Sequence, residues 1–207
     1  AQGARTVTAD ALNNSSEGLV YGRQRVIVQA GSLDNRAGQI SSQGQAQVSA
    51  TSLDNRQGSL VSESAMTVNA QTLDNRGGLV SGWQGLEVEG GALNNSASGT
   101  LSSKSGALTV ELQGELNNSD QGALVSKGDL KLQAASLDNS SAGVISSQSE
   151  VELALNGKLN NHVGLVSSQG DQQIKAAEVD NHGGKIDSGG NLLLRSDSLN
   201  NSAGKLT

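Results

Sequence analysis

The sequence predicts an all-β protein, a right-handed parallel β-helix of about ten coils with roughly 20 residues in each coil. Three observations predict it: a tripeptide that returns at near-constant spacing, an aliphatic residue at a fixed distance after it, and stretches in which apolar and polar residues alternate. The right-handed winding follows from the handedness that parallel crossover connections prefer. We expect residues 1–207 to form one continuous repeat array and, because the chain starts without Met or a signal segment, to be a fragment of a longer protein.

The tripeptide is Leu-Asp/Asn-Asn, with Val179 once in place of Leu, and it occurs ten times at intervals of 20 to 23 residues. Its middle residue is Asp in five repeats and Asn in five, whereas its last residue is always Asn. Identical amides one coil apart can hydrogen-bond to one another along a rod, as Asn ladders do in stacked sheets. The sequence therefore predicts a structural Asn ladder of Asn14, Asn35, Asn55, Asn75, Asn95, Asn118, Asn139, Asn161, Asn181 and Asn201.

The rest of each repeat predicts strands separated by turns. A Gly stands three or four residues after the tripeptide, an aliphatic residue always follows two positions later, and Gly or Ser follows after two more. This pattern indicates a turn, an inward-facing column and a crowded corner. Alternation as in 46–50 then indicates a half-buried strand, not a helix. One repeat cannot bury its apolar face alone, so the coils must stack about 4.8 Å apart.

Two repeats carry extra residues before the tripeptide, around 112–116 and 153–159. They are the repeats in which the third inward position holds Leu112 or Leu155 in place of Ala, Gly or Ser. We expect the larger side chain to require a wider corner, and so an outward bulge at these two coils.

Composition limits the chemistry of the chain. Cys and Pro are both absent, so neither a disulfide framework nor a cysteine-based zinc site can form. The net charge of −6 argues against nucleic acid as a partner, because nucleic-acid binders usually carry a basic surface. No cofactor is predicted.

The sharpest functional candidate is a column of three arginines, Arg36, Arg56 and Arg76, which follow the tripeptide in successive repeats. Their guanidinium groups, about 5 Å apart, could bind sulfate, phosphate or carboxylate on an anionic glycan or lipopolysaccharide. The alternative is that each arginine pairs with an Asp of the tripeptide in a solvated surface network that contributes little free energy.

Three weaker candidates have structural alternatives. Polysaccharide cleavage or calcium binding could use the Asp positions, which are Asp34, Asp54, Asp74, Asp138 and Asp180. However, Asn replaces Asp in half the repeats, and an Asn side chain neither titrates nor carries the charge that these roles require. His162 and His182 could hold a metal, but the repeat supplies no third ligand and no metal site is predicted. Tyr21 and Trp83 could each stack on a sugar ring, but they fall in different coils, several repeats apart. We therefore expect no enzyme activity.

Repeats such as LDNRAGQISSQGQAQVSATS and LDNRQGSLVSESAMTVNAQT resemble the filamentous haemagglutinin repeats of large two-partner-secreted exoproteins of Gram-negative bacteria. The resemblance covers essentially the whole chain. It implies an extended right-handed β-helical stalk, secreted or at the cell surface, from a haemagglutinin adhesin or a contact-dependent growth inhibition effector. It also implies an outer-membrane transporter as partner, through regions outside this sequence, and no catalytic residues in the repeats.

These observations leave three hypotheses for function. The first is a rigid stalk segment that displays distal binding or toxin regions. The second is an adhesive surface in which the arginine column binds a cell-surface glycan or receptor on a target cell. The third, least favoured, is a β-helical polysaccharide-cleaving enzyme. Open strand edges at the two ends could also stack copies of this chain end to end.

Overall fold

The computed structural model describes residues 3–207, and within that range the chain forms 25 β-strands. All paired strands are parallel, and they form one sheet of 15 strands and one of ten. Successive coils are about 20 residues apart, so the predicted all-β solenoid of about ten turns is confirmed. The handedness of its winding stays a prediction. Residues 3–207 contain no helix that could cross a membrane.

We call the ten-stranded sheet sheet B. It takes one four-residue strand from each of the first nine coils and a shorter one from the last. Its strands, in spatial as well as chain order, are β2 (Leu19–Gly22), β4 (Gln39–Ser42), β6 (Ser59–Ser62), β8 (Leu79–Gly82), β10 (Thr100–Ser103), β13 (Ala123–Ser126), β16 (Val144–Ser147), β19 (Leu165–Ser168), β22 (Lys185–Ser188) and β25 (Lys205–Leu206).

We call the 15-stranded sheet sheet A. Its first five strands are long, and each includes the start of a tripeptide: β1 (Arg5–Asn13), β3 (Arg25–Asp34), β5 (Gln45–Asp54), β7 (Ala65–Asp74) and β9 (Gly85–Asn94). The later coils contribute two strands each: β11 (Leu108–Leu112) and β12 (Glu115–Asn117), β14 (Leu130–Ala134) and β15 (Ser136–Asp138), β17 (Val151–Leu155) and β18 (Lys158–Asn160), β20 (Gln172–Lys175) and β21 (Glu178–Asp180), β23 (Leu192–Arg195) and β24 (Ser198–Asn200).

The core is a set of aliphatic columns between the sheets. The column in sheet B is the one predicted after the turn glycine, and Ile40, Leu60 and Val80 in it are fully buried. The tripeptide leucines form a second column, in which Leu33 pairs with Leu53 and Leu53 with Leu73 in register. Because equivalent residues stack directly, each apolar side chain packs against similar ones above and below. This repetition fills a narrow core without aromatic residues.

The corner before the tripeptide differs from the prediction of short strands separated by turns. In the first coils the strand runs through it, and the pairing only skips one residue, as at Gly31 between the pairs Ala30–Ala50 and Ser32–Ser52. From β11 onward the strand is interrupted there, also in coils without extra residues. Leu112 and Leu155 do face inward and are buried, and the strand stops immediately after each.

The turn after the tripeptide has a left-handed residue in every coil. The second residue after the last Asn of the tripeptide has a φ between 50° and 63° in all ten coils. It is Gly only at Gly77 and Gly183; elsewhere it includes Ala37, Gln57 and even the β-branched Val163. Where the turn glycine comes one residue later, as at Gly18, a second left-handed residue such as Glu17 takes up the extra length.

The turn glycines themselves are needed for a different reason, close approach of the neighbouring coil. A Cβ built on Gly78 would lie 2.2 Å from the carbonyl oxygen of Asn55, whereas one on Gly77 would meet nothing nearer than 3.6 Å. Gly77 has a φ of +63°, which an L-residue adopts only at some cost. The two adjacent glycines are therefore needed for different reasons. Gly78 leaves no space for a side chain, whereas Gly77 has a backbone conformation that strains an L-residue.

We expect Gly78→Ala to lower the free energy of unfolding by about 3 kcal/mol or to prevent folding, because the two coils would have to move apart. Its matched control, Gly77→Ala, should cost only about 1 kcal/mol, since Ala37 and Ala97 already occupy the equivalent position. Urea unfolding of both variants checks this. Equal losses would contradict the assignment of close approach to Gly78.

Gln172 places a polar side chain in an apolar column of the core. Gln172 is fully buried between Val151 and Leu192 in the adjacent coils, and neither its Nε2 nor its Oε1 has a hydrogen-bond partner within the range described. Equivalent positions in other coils hold Leu108 and Leu130. A buried amide without partners destabilises a fold.

Gln172→Leu should therefore raise the free energy of unfolding by about 1 to 3 kcal/mol. Gln173→Leu is the control, because Gln173 is the next residue, points outward and is exposed, so its replacement should change stability little. Thermal unfolding followed by circular dichroism compares the two variants. A Gln172→Leu protein no more stable than the parent would mean that the amide finds partners in solution.

Candidate functional site

The ten tripeptide asparagines form one continuous hydrogen-bonded column. In each of the first nine coils the side-chain Nδ2 donates to the Oδ1 of the equivalent Asn in the next coil, from Asn14 through to Asn201, at 2.6 to 2.8 Å. The members from Asn35 to Asn181 are fully buried. Every donor in the column points the same way along the rod.

Each amide also joins the turn of its own coil to the strand of the next. For Asn75, Nδ2 lies 3.2 Å from the carbonyl oxygen of Gly78 and 3.3 Å from that of Thr100. The equivalent contacts recur from Asn14 to Asn181. One side chain therefore bonds to its own turn, to the next Asn and to the next strand, and only a carboxamide combines the needed donors with an acceptor.

The middle residue of the tripeptide has a separate role, which explains why Asp and Asn exchange there. In all ten coils its Oδ1 accepts a hydrogen bond from the backbone N–H two residues later, at 2.9 to 3.2 Å. This is an Asx turn, and it needs only an acceptor oxygen. A position that accepts Asn equally well does not require a charge.

The three arginines are each paired with the Asp of their own tripeptide. The Nε and Nη2 atoms of Arg36 donate to the two carboxylate oxygens of Asp34 at 2.9 and 2.6 Å, and Arg56 and Arg76 repeat this two-point geometry. Arg36 also lies 3.7 Å from Asp54 of the next coil. The column is thus an alternating series of three cations and three anions, without net charge.

The pairing lowers the pKa of two carboxyl groups in this column, those of Asp34 and Asp74. A hydrogen bond from the Arg36 side chain, with its backbone N–H and positive charge, lowers the pKa of Asp34. For Asp74, burial is the largest single effect and acts upward, but the hydrogen bonds from the side chain and backbone of Arg76 outweigh it, so its pKa is lowered as well. Asp34 and Asp74 are therefore ionised at neutral pH and neutralise the arginines beside them.

The outer edges of the guanidinium groups line a shallow open depression of about 390 Å³ with Gln57, Gly77 and Ala97. The arginine side chains are 40 to 52% exposed, so their remaining N–H groups face solvent. An anion bound here would meet donors already shared with carboxylates. The arrangement can offer hydrogen bonds to a polar ligand, but little electrostatic attraction.

The remaining candidates do not assemble into a reactive centre in the part of the chain that the structure describes. His162 and His182 stack with their ring centroids 5.1 Å apart and a 4° angle between planes, and Nδ1 of His182 contacts Ser202 Oγ at 2.7 Å. Within residues 3–207 no three His, Asp or Glu side chains are grouped to hold a metal ion. Tyr21 and Trp83 are exposed and lie in different coils.

Sequence reasoning missed two features of this turn. The Asx turn was visible only indirectly, as the exchange of Asp for Asn. The left-handed residue had no signal at all, because Ser, Ala, Gln, Asp and Val occur there as well as Gly.

Stacked parallel coils, aliphatic columns and a buried Asn ladder define this protein as a repeat-built β-solenoid. The sequence profile of the haemagglutinin repeat matches residues 1–120, 97–162 and 150–207, which together cover the chain. The chain therefore belongs to the haemagglutinin repeat family, and the predicted filamentous haemagglutinin repeat region is confirmed. Proteins of this family are typically secreted surface filaments with structural or adhesive roles. No curated protein and no solved structure matches the chain significantly.

We expect exchange of Asp and Asn to cost much more stability at the last position of a tripeptide than at the middle position. Asn75→Asp should lower the free energy of unfolding by about 3 to 5 kcal/mol, because it puts a buried carboxylate 2.7 Å from Asn95 Oδ1. Asn75→Ala should cost about 1 to 3 kcal/mol. Asp74→Asn keeps the Asx turn and loses only exposed ion pairs, so its cost should stay below about 1 kcal/mol.

Urea unfolding of the three variants at neutral pH measures these differences. An unchanged midpoint for Asn75→Ala would contradict a stabilising ladder. A large loss for Asp74→Asn would instead mean that the carboxylate charge matters at the middle position.

Proposed function

We propose that this chain is a stiff stalk segment of a large secreted surface filament, which holds distal binding or toxin regions away from the producing cell. The observation that carries the proposal is the unbroken Asn ladder, which joins ten consecutive turns inside a continuous pair of sheets. No coil lacks its link to the next, so no position along the array is a natural hinge.

The mechanism is mechanical. Each coil of about 20 residues adds about 4.8 Å, so ten coils give a rod roughly 45 to 50 Å long. Bending it would stretch backbone hydrogen bonds in both sheets and ladder bonds in the turn together. The stiffness needs neither a cofactor nor a disulfide, and an enzymatic role is not part of the proposal.

The cellular location and export route of the stalk are also proposals, and family membership supports them. We place the parent protein outside a Gram-negative cell, exported through an outer-membrane transporter of a two-partner system, and involved in cell adhesion or contact-dependent growth inhibition. The match of the haemagglutinin repeat to the whole chain supports this setting.

A second candidate function is adhesion by the segment itself, through Arg36, Arg56 and Arg76. It is favoured by the solvent-facing N–H groups in their depression and disfavoured by the Asp partners that neutralise them. The stalk is therefore the better-supported function.

Two distance measurements test the stiffness directly. The chain has no Cys, so spin labels can be attached at Ser15→Cys with Ser140→Cys, six coils apart, or at Ser15→Cys with Ser202→Cys, nine coils apart. A stiff straight rod should give narrow distributions centred near 29 and 43 Å, in a ratio of about two to three. Broad distributions, or a longer distance much below that ratio, would contradict a stiff stalk.

A binding assay separates the two functions. Labelled chain should bind neither epithelial cells nor Gram-negative bacteria in a saturable way if it serves only as a stalk. Saturable binding that the folded Arg36→Ala, Arg56→Ala, Arg76→Ala variant loses would instead make the column an adhesive site.

A further inference from the structure

The outward face of sheet B is free of charge over eight successive coils. In each strand two side chains alternate with the core-facing ones and point away from the core, as Ser59 and Val61 do in β6. At two of these outward positions, Ser81 in β8 and Ser102 in β10, the residue is nevertheless buried, with 4% and 1% exposure. From β2 to β19 all sixteen outward positions are uncharged: Leu19, Tyr21, Gln39, Ser41, Ser59, Val61, Leu79, Ser81, Thr100, Ser102, Ala123, Val125, Val144, Ser146, Leu165 and Ser167. We call this surface the uncharged face.

The same coils carry charges on the outward face of sheet A. Glu87, Glu89, Glu111, Lys131 and Glu152 all lie at outward positions there. A chain with 34 charged side chains therefore leaves one long surface free of them. The uncharged face ends at β22, where Lys185 and Asp187 form an outward ion pair at 2.8 Å. Solubility alone does not account for so uneven a distribution.

The side chains on this face are short and in register. Each outward residue pairs with the equivalent residue of the next coil, so Val61, Ser81 and Ser102 follow one another in one row. Ser, Thr, Ala, Val and Leu dominate, and Tyr21, at one end, is the only aromatic residue among the sixteen. The result is a low surface with rows of small apolar and hydroxyl groups, of the kind that packs face to face against another sheet.

We propose that the uncharged face binds the same face of a second copy of this chain, so that two rods lie side by side. A charge-free surface can meet itself without burying unpaired charges, whereas the outward face of sheet A cannot. Four charged residues, Arg23, Glu63, Lys104 and Lys127, stand directly after the strands along one edge, with the exposed Trp83 among them, so this rim is mostly polar, as is usual around an interface. This pairing goes beyond the stalk function and does not depend on it.

Other occupants fit the chemistry less well. A flat polysaccharide would need several aromatic rings along the face for stacking, whereas the face has only Tyr21, at one end, and its rim has only Trp83. An anionic lipid surface would need basic residues, whereas the face has none and the chain carries a net charge of −6.

The area of the face predicts a weak dimer. Eight strands about 4.8 Å apart and four residues long cover roughly 500 Å² on each copy, or about 1,000 Å² for a pair, which is near the lower limit for a specific interface. Such a contact would form rarely between free chains and often between chains at high local concentration. In a two-fold antiparallel pair centred on the eight coils, Val61 of one copy faces Val125 of the other.

Sedimentation velocity over a range of concentrations tests the pairing. The parent chain should self-associate, and more so at high salt, because screening weakens the repulsion between two copies of net charge −6. The double variant Val61→Lys with Val125→Lys should be monomeric. The matched control, Thr67→Lys with Gln133→Lys, adds the same charge on the outward face of sheet A and should associate as the parent does or better.

A charge-swapped variant makes the test specific for the two-fold arrangement. Val61→Lys with Val125→Glu puts opposite charges across the pair at both positions, so association should return to at least the parent level, and it should fall at high salt. All variants should keep the parent melting temperature within a few degrees, since both valines lie on the surface. A parent chain that stays monomeric at every concentration, or association that the lysine pair leaves unchanged, would overturn the proposal.

Discussion

The hydrogen bond from each tripeptide amide to the next sets the geometry of the turn around it. Because Nδ2 must reach an amide oxygen, its own turn and the following strand at once, the turn glycine has to approach the preceding coil closely, and a side chain there has no room. The chain must therefore reverse direction within the short segment between the tripeptide Asn and the turn glycine. The left-handed residue in that segment makes this reversal possible. Non-glycine residues tolerate that strain in eight of ten coils because the ladder and both sheets hold the turn from either side.

How much of this could be predicted from the sequence depends on whether a property repeats. The aliphatic column through Ile40 and Leu60, and the solenoid itself, follow from positions that recur every 20 residues or so. The left-handed turn residue recurs just as faithfully, yet its identity varies, because backbone context and not side-chain preference imposes its φ. The buried Gln172 could not be predicted, since a polar residue at one rung of an apolar column is normally read as a surface position.

The predicted arginine column shows why one candidate has two interpretations. The sequence places Arg36, Arg56 and Arg76 in a row and also places an Asp two residues before each. It is therefore compatible both with anion binding and with ion pairing. Side-chain geometry distinguishes them: the two-point pairing uses the guanidinium edge that would otherwise clamp a ligand. What remains exposed suits a rod surface that is neutral and well hydrated better than a high-affinity anion site.

The one-way orientation of the ladder has a consequence for how such proteins change length over generations. Every coil presents an amide oxygen on one side and an amide N–H on the other, and it contacts only its immediate neighbours. Duplicating or deleting the DNA that encodes one whole repeat would therefore leave each remaining rung with a partner of the right kind. Unequal recombination between these similar units can adjust the reach of the protein in steps of one coil, without any new contact having to evolve.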